Sequence, residues 1–126
     1  MKTILIVDDQ SGIRILLNEV FQREGFKTIL AANGLEALKL FSEQQVDGVI
    51  LDMKIPGMNG LEILQHIKEK KSDIPVMMMT AYGEQDLINT AMSIGAVGYF
   101  TKPFNIFWLV EEVKKALISN DKSITK

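Results

Sequence analysis

Two hydrophobic rhythms alternate along the chain. Five short runs, "TILIV" (3–7), "KTILA" (27–31), "GVIL" (48–51), "PVMMM" (75–79) and "VGYF" (97–100), are strand-length and nearly continuous in apolar character. Between them the apolar residues are spaced for one face of a helix: Ile13, Leu16, Leu17, Val20 and Phe21, then Leu35, Leu38 and Phe41, then Leu61, Leu64 and Ile67. Leu87, Ile88, Ala91 and Met92 repeat the pattern, as do Ile106, Leu109, Val110, Val113 and Leu117. Strands without polar alternation are buried on both faces, and strands alternating with helices form a parallel sheet between two helical layers. The predicted architecture is α/β and doubly wound, from five βα units.

The punctuation agrees. Gly25 and Gly95 stand where helices should stop, and Pro56, Gly57 and Gly60 mark a loop between the third strand and third helix. No repeat or internal linker interrupts the pattern, which predicts one domain over residues 1–119. The polar "SNDKSITK" (119–126) lacks apolar periodicity, so 120–126 are expected to be a flexible tail.

Length and composition narrow the class without naming a function. A chain of 126 residues with 47% hydrophobic content can bury a core unaided, and the absence of cysteine removes disulfides and thiol chemistry. A net charge of -2 gives no bulk attraction to nucleic acid or anionic membrane. The opening apolar run is too short for a signal peptide or a span, so the expected location is cytoplasmic.

Polar residues collect at the C-terminal ends of the predicted strands: Asp8 and Asp9 after the first, Asp52 after the third, Thr80 after the fourth, Lys102 after the fifth. Ligands of open parallel sheets bind at that edge, so the five side chains should converge. Three carboxylates repel one another and form a hard-oxygen site suited to Mg²⁺, which takes one or two carboxylates, keeps waters and leaves room for a phosphate oxygen. Lys102 can neutralise phosphate oxygens, the Thr80 hydroxyl can donate to one, and a carboxylate such as Asp52 can itself form an acyl phosphate. Taken singly, each residue has a plainer role as a cap, a turn or a solvated loop residue; the joint placement is what points to chemistry. His66 reads as a surface residue, Met77, Met78 and Met79 as buried strand, and Trp108 as partial packing.

The segments "ILIVDD", "VILDMKIPGMNG", "MMMTAYG" and "GYFTKPF" resemble bacterial response-regulator receiver domains over nearly the whole chain. The resemblance implies a flavodoxin-like (βα)5 fold with strand order 2-1-3-4-5. It implies Asp52 as phosphoacceptor, and Asp8, Asp9, Asp52 and the main-chain carbonyl of Lys54 as ligands of Mg²⁺, for which Mn²⁺ can substitute. It further implies Thr80 and Lys102 as the phosphate-sensing pair, Tyr99 as the switch aromatic and a cis Lys102–Pro103 bond. Within the family, "DDQSGIRILLNEVF", "LDMKIPGMNGLEIL" and "MTAYGE" resemble the stand-alone receivers of sporulation phosphorelays. Those pass a phosphoryl group from a sensor histidine kinase to a histidine phosphotransferase, a Mg²⁺-dependent self-modification rather than conventional turnover.

The expected partners are therefore a kinase, a phosphotransferase and a response-regulator phosphatase, with no nucleic acid or membrane, around a monomer. Gln10, Gly12, Ile13 and Arg14 on the first helix, with Pro103 and Phe104 across the site, are the expected docking residues. Two other readings compete with the relay. A chemotaxis-type regulator would use its phosphorylated face to bind a target. A Mg²⁺-dependent phosphohydrolase fits less well, since its D-x-D follows the first strand, where this chain has Asp8-Asp9 and places its nucleophile candidate after the third. Nucleotide binding is weaker still, because "DDQSG" offers acid where a phosphate loop needs glycine.

Overall fold

Strands and helices alternate strictly in chain order: β1 (Thr3–Val7), α1 (Ser11–Arg23), β2 (Lys27–Ala31), α2 (Gly34–Glu43), β3 (Gly48–Asp52), α3 (Gly60–Lys70), β4 (Val76–Thr80), α4 (Gln85–Ile94), β5 (Gly98–Thr101) and α5 (Ile106–Lys122). The computed structural model describes residues 1–81 and 83–122. All strand pairs are parallel, in the order β2-β1-β3-β4-β5, as expected. Strands differ from the sequence-based spans by at most one residue at an end, a shift that makes Asp52 and Thr80 the last strand residues.

The pleat sorts side chains onto two faces. Leu5, Val7, Val49, Leu51, Val76 and Met78 pack on one face against Ala37 and Phe41 of α2, Ile63, Leu64 and Ile67 of α3, and Ala91 of α4. Ile4, Ile6, Ile50, Met77, Met79 and Phe100 pack on the other against Leu17 and Phe21 of α1 and Leu109, Val110, Val113 and Leu117 of α5. Three positions in the helical stripes do not enter either core. Leu35 is 75% exposed, and Leu16 and Met92 are 41% exposed. Successive residues on a helix stand about 100° apart, so an arc drawn by spacing is wider than the strip a flat neighbour covers. Where neighbours compete, Leu17 faces the sheet and Leu16 does not.

Local chemistry sets the helix starts. Asn59 and Glu62 form a reciprocal capping box on α3, and Asn33 accepts from the Glu36 amide at the start of α2. Gly60 solves a steric problem at the end of β3: a Cβ there would stand 2.6 Å from the Asp52 carbonyl oxygen and 2.7 Å from Met53 Cα. Its amide instead donates to Met53 O at 2.9 Å, seating α3 against the strand end. Gly25 and Gly95 stop α1 and α4 with φ of 92° and 131°.

The domain boundary expected at residue 119 is not a helix end: α5 continues to Lys122, three residues into the stretch read as tail. Helical backbone needs no apolar periodicity to extend by a turn, the signal on which that boundary rests. The rest of that tail, 123–126, lies outside the described residues. No described helix is long and apolar enough to cross a membrane.

Candidate functional site

Asp8 follows β1 directly, Asp52 ends β3 and Thr80 ends β4, all three buried at the same edge of the sheet, with Asp9 exposed beside them. One carboxylate oxygen from each of Asp8, Asp9 and Asp52 lies within 4.8 Å of the others. Lys102 reaches this cluster from the end of β5. Its amide donates to Thr80 O at 2.8 Å, and its Nζ lies 2.8 Å from Asp8 Oδ2, 3.3 Å from Asp52 Oδ2 and 3.4 Å from Gln10 Oε1. The bond from Lys102 to Pro103 is cis.

Asp52 is the strained member electrostatically. Burial, and then the charge of Asp8, push its carboxyl up to about 6, against the opposing pull of Lys102 and of the Lys54 amide 3.4 Å from Oδ1. Lys102 has the opposite balance. Burial works against its charge, but the hydrogen bond to Asp8 and the charges of Asp52 and Asp8 outweigh it and hold the ammonium above its ordinary range. The Asp9 side chain forms no hydrogen bond or ion pair with another described residue. A cluster carrying three carboxylates, one of them buried and penalised for its charge, suits a hard divalent cation. The Asp8, Asp9 and Asp52 oxygens have the donor chemistry for one.

Several expected residues fall at the site with roles beyond those read from sequence. Gln10, read as a polar rim residue, bonds Lys102 and caps Asp8, its amide donating to Asp8 Oδ1 at 2.8 Å. Arg14 Nη1 donates to the Asp8 carbonyl at 2.7 Å, tying α1 to the end of β1. Gly12 is exposed, and a Cβ there would meet nothing within 4 Å. Ile13 is half-buried against the α1/α5 core, as is Phe104, while Pro103 is exposed. The Thr80 Oγ1 is buried without a hydrogen-bond partner among the described residues. Tyr99, 41% exposed on β5, lines a groove with Trp108, whose ring meets Phe100 edge-on at 5.1 Å.

Sequence reasoning passes over Glu84. It is nearly buried, accepts from the Ala81 amide at 2.7 Å, and pairs with Lys54 Nζ at 2.9 Å. Burial pushes its carboxyl up, but the Lys54 and Ala81 contacts outweigh that and hold it below the ordinary range. The available signal is an acid at the residue preceding a helix, three positions after Ala81. Asp9, Gln10, Asp52, Lys54, Ala81, Glu84 and Lys102 together line a cavity of about 300 Å³.

The family model for the response regulator receiver domain matches residues 4–114. The chain belongs to the response-regulator receiver domains. This receiver domain is 55% identical over 114 residues to sporulation initiation phosphotransferase F of Bacillus subtilis, covering 90% of this chain and 92% of that protein. It is 39% identical over 114 residues to the regulatory protein AtoC of Escherichia coli, covering 90% of this chain but only 25% of AtoC. Among solved structures, it superposes on a receiver domain protein from Clostridium thermocellum with a TM-score of 0.90 at 30% identity, over 100% of both chains. A CheY-like receiver from Methanospirillum hungatei gives 0.94 at 28% identity over 98% of each. Receiver domains bind Mg²⁺ through an acidic pocket, and Asp8, Asp9 and Asp52 form an acidic cluster at the strand ends of this one.

Proposed function

We propose that this receiver accepts a phosphoryl group on Asp52 from the phosphohistidine of a sensor histidine kinase and relays it to a histidine phosphotransferase in a sporulation phosphorelay. The observation that carries the first half is the placement of Asp52 at the end of β3, with two further carboxylates and the Lys102 ammonium around it. The relay half is supported by 55% identity over 92% of sporulation initiation phosphotransferase F.

In the transfer an Asp52 oxygen attacks phosphorus. The new P–O bond forms as the P–N bond breaks, and its electron pair leaves on the imidazole nitrogen, which takes up a proton. Bound Mg²⁺, or Mn²⁺ in its place, would be held by Asp8, Asp9, Asp52 and the Lys54 carbonyl, and would supply neutralisation of phosphoryl charge. Lys102 offers its ammonium to the phosphoryl oxygens, and the unpartnered Thr80 hydroxyl is free to donate to another. Movement of Thr80 then lets the Tyr99 ring leave its exposed position, biasing the α4, β5 and α5 face.

Docking of both partners is assigned to α1, where Gly12 leaves space, half-buried Ile13 gives apolar contact and Gln10 and Arg14 form the rim, with Pro103 and Phe104 opposite. A response-regulator phosphatase using the same face, and a monomeric state, complete the reading. Incubation with acetyl phosphate and Mg²⁺, followed by intact mass, should show one added phosphoryl group that Asp52→Asn or EDTA removes. Labelling that survives either treatment would refute Asp52 as acceptor. Failure to transfer onward to any histidine phosphotransferase, with a stable target bound instead, would favour the chemotaxis-type alternative.

A further inference from the structure

Glu84 joins the two loops that flank Asp52. One carboxylate oxygen accepts from Ala81 N–H at 2.7 Å, immediately after Thr80. The other lies 2.9 Å from Nζ of Lys54, two residues after Asp52. That second contact is an ion pair without hydrogen-bond alignment, so the oxygen keeps unused acceptor capacity while buried. Lys54 is largely solvent-exposed and Glu84 is not, so the lysine folds over the carboxylate. Despite preceding α4, the Glu84 side chain forms no cap bond to that helix; it faces the cavity it shares with Asp52 and Lys102.

Three donors of this cavity are suited to an anion on Asp52: Lys102 Nζ, Lys54 Nζ and the Ala81 amide. Glu84 engages the last two. We propose that Glu84 is a resident anion that competes with the phosphoryl group for Lys54 and the Ala81 amide, so that its charge sets how strongly the phosphorylated state is favoured. A phosphoryl group brings close to two negative charges and three acceptor oxygens into a cavity of about 300 Å³ that already contains this carboxylate. Like charges at that range cost free energy, and a donor bonded to one anion must leave it to serve another. Glu84 is on this account a positioning residue, holding the two loops in their unmodified arrangement until a stronger anion releases them. The inference rests on Asp52 being the acceptor.

Glu84→Gln keeps an acceptor for Ala81 and removes the charge, whereas Glu84→Ala removes both. Beryllofluoride binding with Mg²⁺, read by NMR titration on the full chain, should tighten about three- to tenfold in Glu84→Gln, the scale of one like charge removed from a partly solvated site. In the parent, the Ala81 amide resonance should move on saturation as it exchanges Glu84 for the new anion. Unchanged or weaker binding in a folded Glu84→Gln overturns the proposal. So does a change confined to Glu84→Ala, which would mark a purely structural tie, and so does an Ala81 amide that stays in place. A parent that neither binds beryllofluoride nor labels at Asp52 refutes the acceptor reading itself, and the competition with it.

Discussion

Lys102 Nζ reaches Asp8 Oδ2 at 2.8 Å although β5 and β1 are separated in the sheet by β4 and β3. The lysine spans the whole reactive edge and lies closer to Asp8 than to Asp52, at 3.3 Å. It thus occupies carboxylates proposed to hold the cation, while Asp9, unpaired among the described residues, does not depend on it. Asp9→Ala should weaken Mg²⁺ binding about tenfold or more, and Lys102→Ala should leave that affinity no lower while impairing acetyl-phosphate labelling. Isothermal titration with Mg²⁺ and intact mass separate the two; equal loss of Mg²⁺ affinity in both variants would defeat the division of labour.

Stability should carry the signature of Asp52. Its folded-state value near 6 exceeds the unfolded value of 3.8, so between these pH values the native state binds the extra proton. Unfolding free energy contributed by this group therefore falls as pH rises through that window, and above about pH 6 the charged Asp52 is a net burden of about 1–3 kcal/mol. Asp52→Asn should stabilise the protein at pH 7.5 by that order, with the gain shrinking as the pH falls from about 6 to about 4 and nearly gone at about pH 3.5. Urea titrations in EDTA at the two ends of that range test it, and a gain independent of pH would overturn the assignment.

Two glycines at helix starts should respond with opposite sign to the same change. Gly60→Ala places a Cβ against the Asp52 carbonyl at 2.6 Å and should cost about 1–3 kcal/mol despite alanine's helix preference. Gly12→Ala meets nothing within 4 Å and should stabilise by about 0.5 kcal/mol. If α1 is the docking helix, Gly12→Ala should nonetheless slow phosphoryl transfer with protein partners while acetyl-phosphate labelling stays normal. Normal transfer in the stabilised variant would remove Gly12 from the interface.

Ile13 is only half-buried, so Ile13→Ala should cost about 1 kcal/mol, less than the 2–5 kcal/mol typical of a fully enclosed isoleucine. Its transfer rates with kinase and phosphotransferase should fall by more than this stability loss explains. A destabilised variant with normal rates would leave Ile13 a packing residue alone.

The Thr80 hydroxyl is buried and has no partner among the described residues, so valine should replace it in the unmodified fold without losing a hydrogen bond. Thr80→Val should be neutral or slightly stabilising, yet should reduce the NMR shift changes at Tyr99 on beryllofluoride binding. Identical shifts in parent and variant would show that the coupling bypasses this residue.

The strand runs and the placement of Asp8, Asp52, Thr80 and Lys102 are legible in the sequence because both come from one-dimensional order: apolar runs define strands, and a polar residue next in the chain must lie at the strand's end. The contacts within the site are not. Lys102 preferring Asp8 over Asp52, Arg14 holding the Asp8 carbonyl and Glu84 bridging Lys54 and Ala81 depend on side-chain reach between segments distant in the chain. Leu16, Leu35 and Met92 depart from the expected core for a related reason, since periodicity identifies a helical face but not how much of it the neighbouring layer covers.

The edge-on contact of Trp108 with Phe100 gives the molecule an optical reporter of its own. Trp108 is the only indole in the chain, half in solvent, against the ring that precedes Thr101 and Lys102 at the end of β5. Indole emission shifts in colour and yield with hydration and with nearby rings. Any displacement of β5 that accompanies filling of the acidic edge can therefore be followed in stopped flow on the unlabelled protein, and the approach of a partner to the neighbouring groove would darken or blue-shift the same signal.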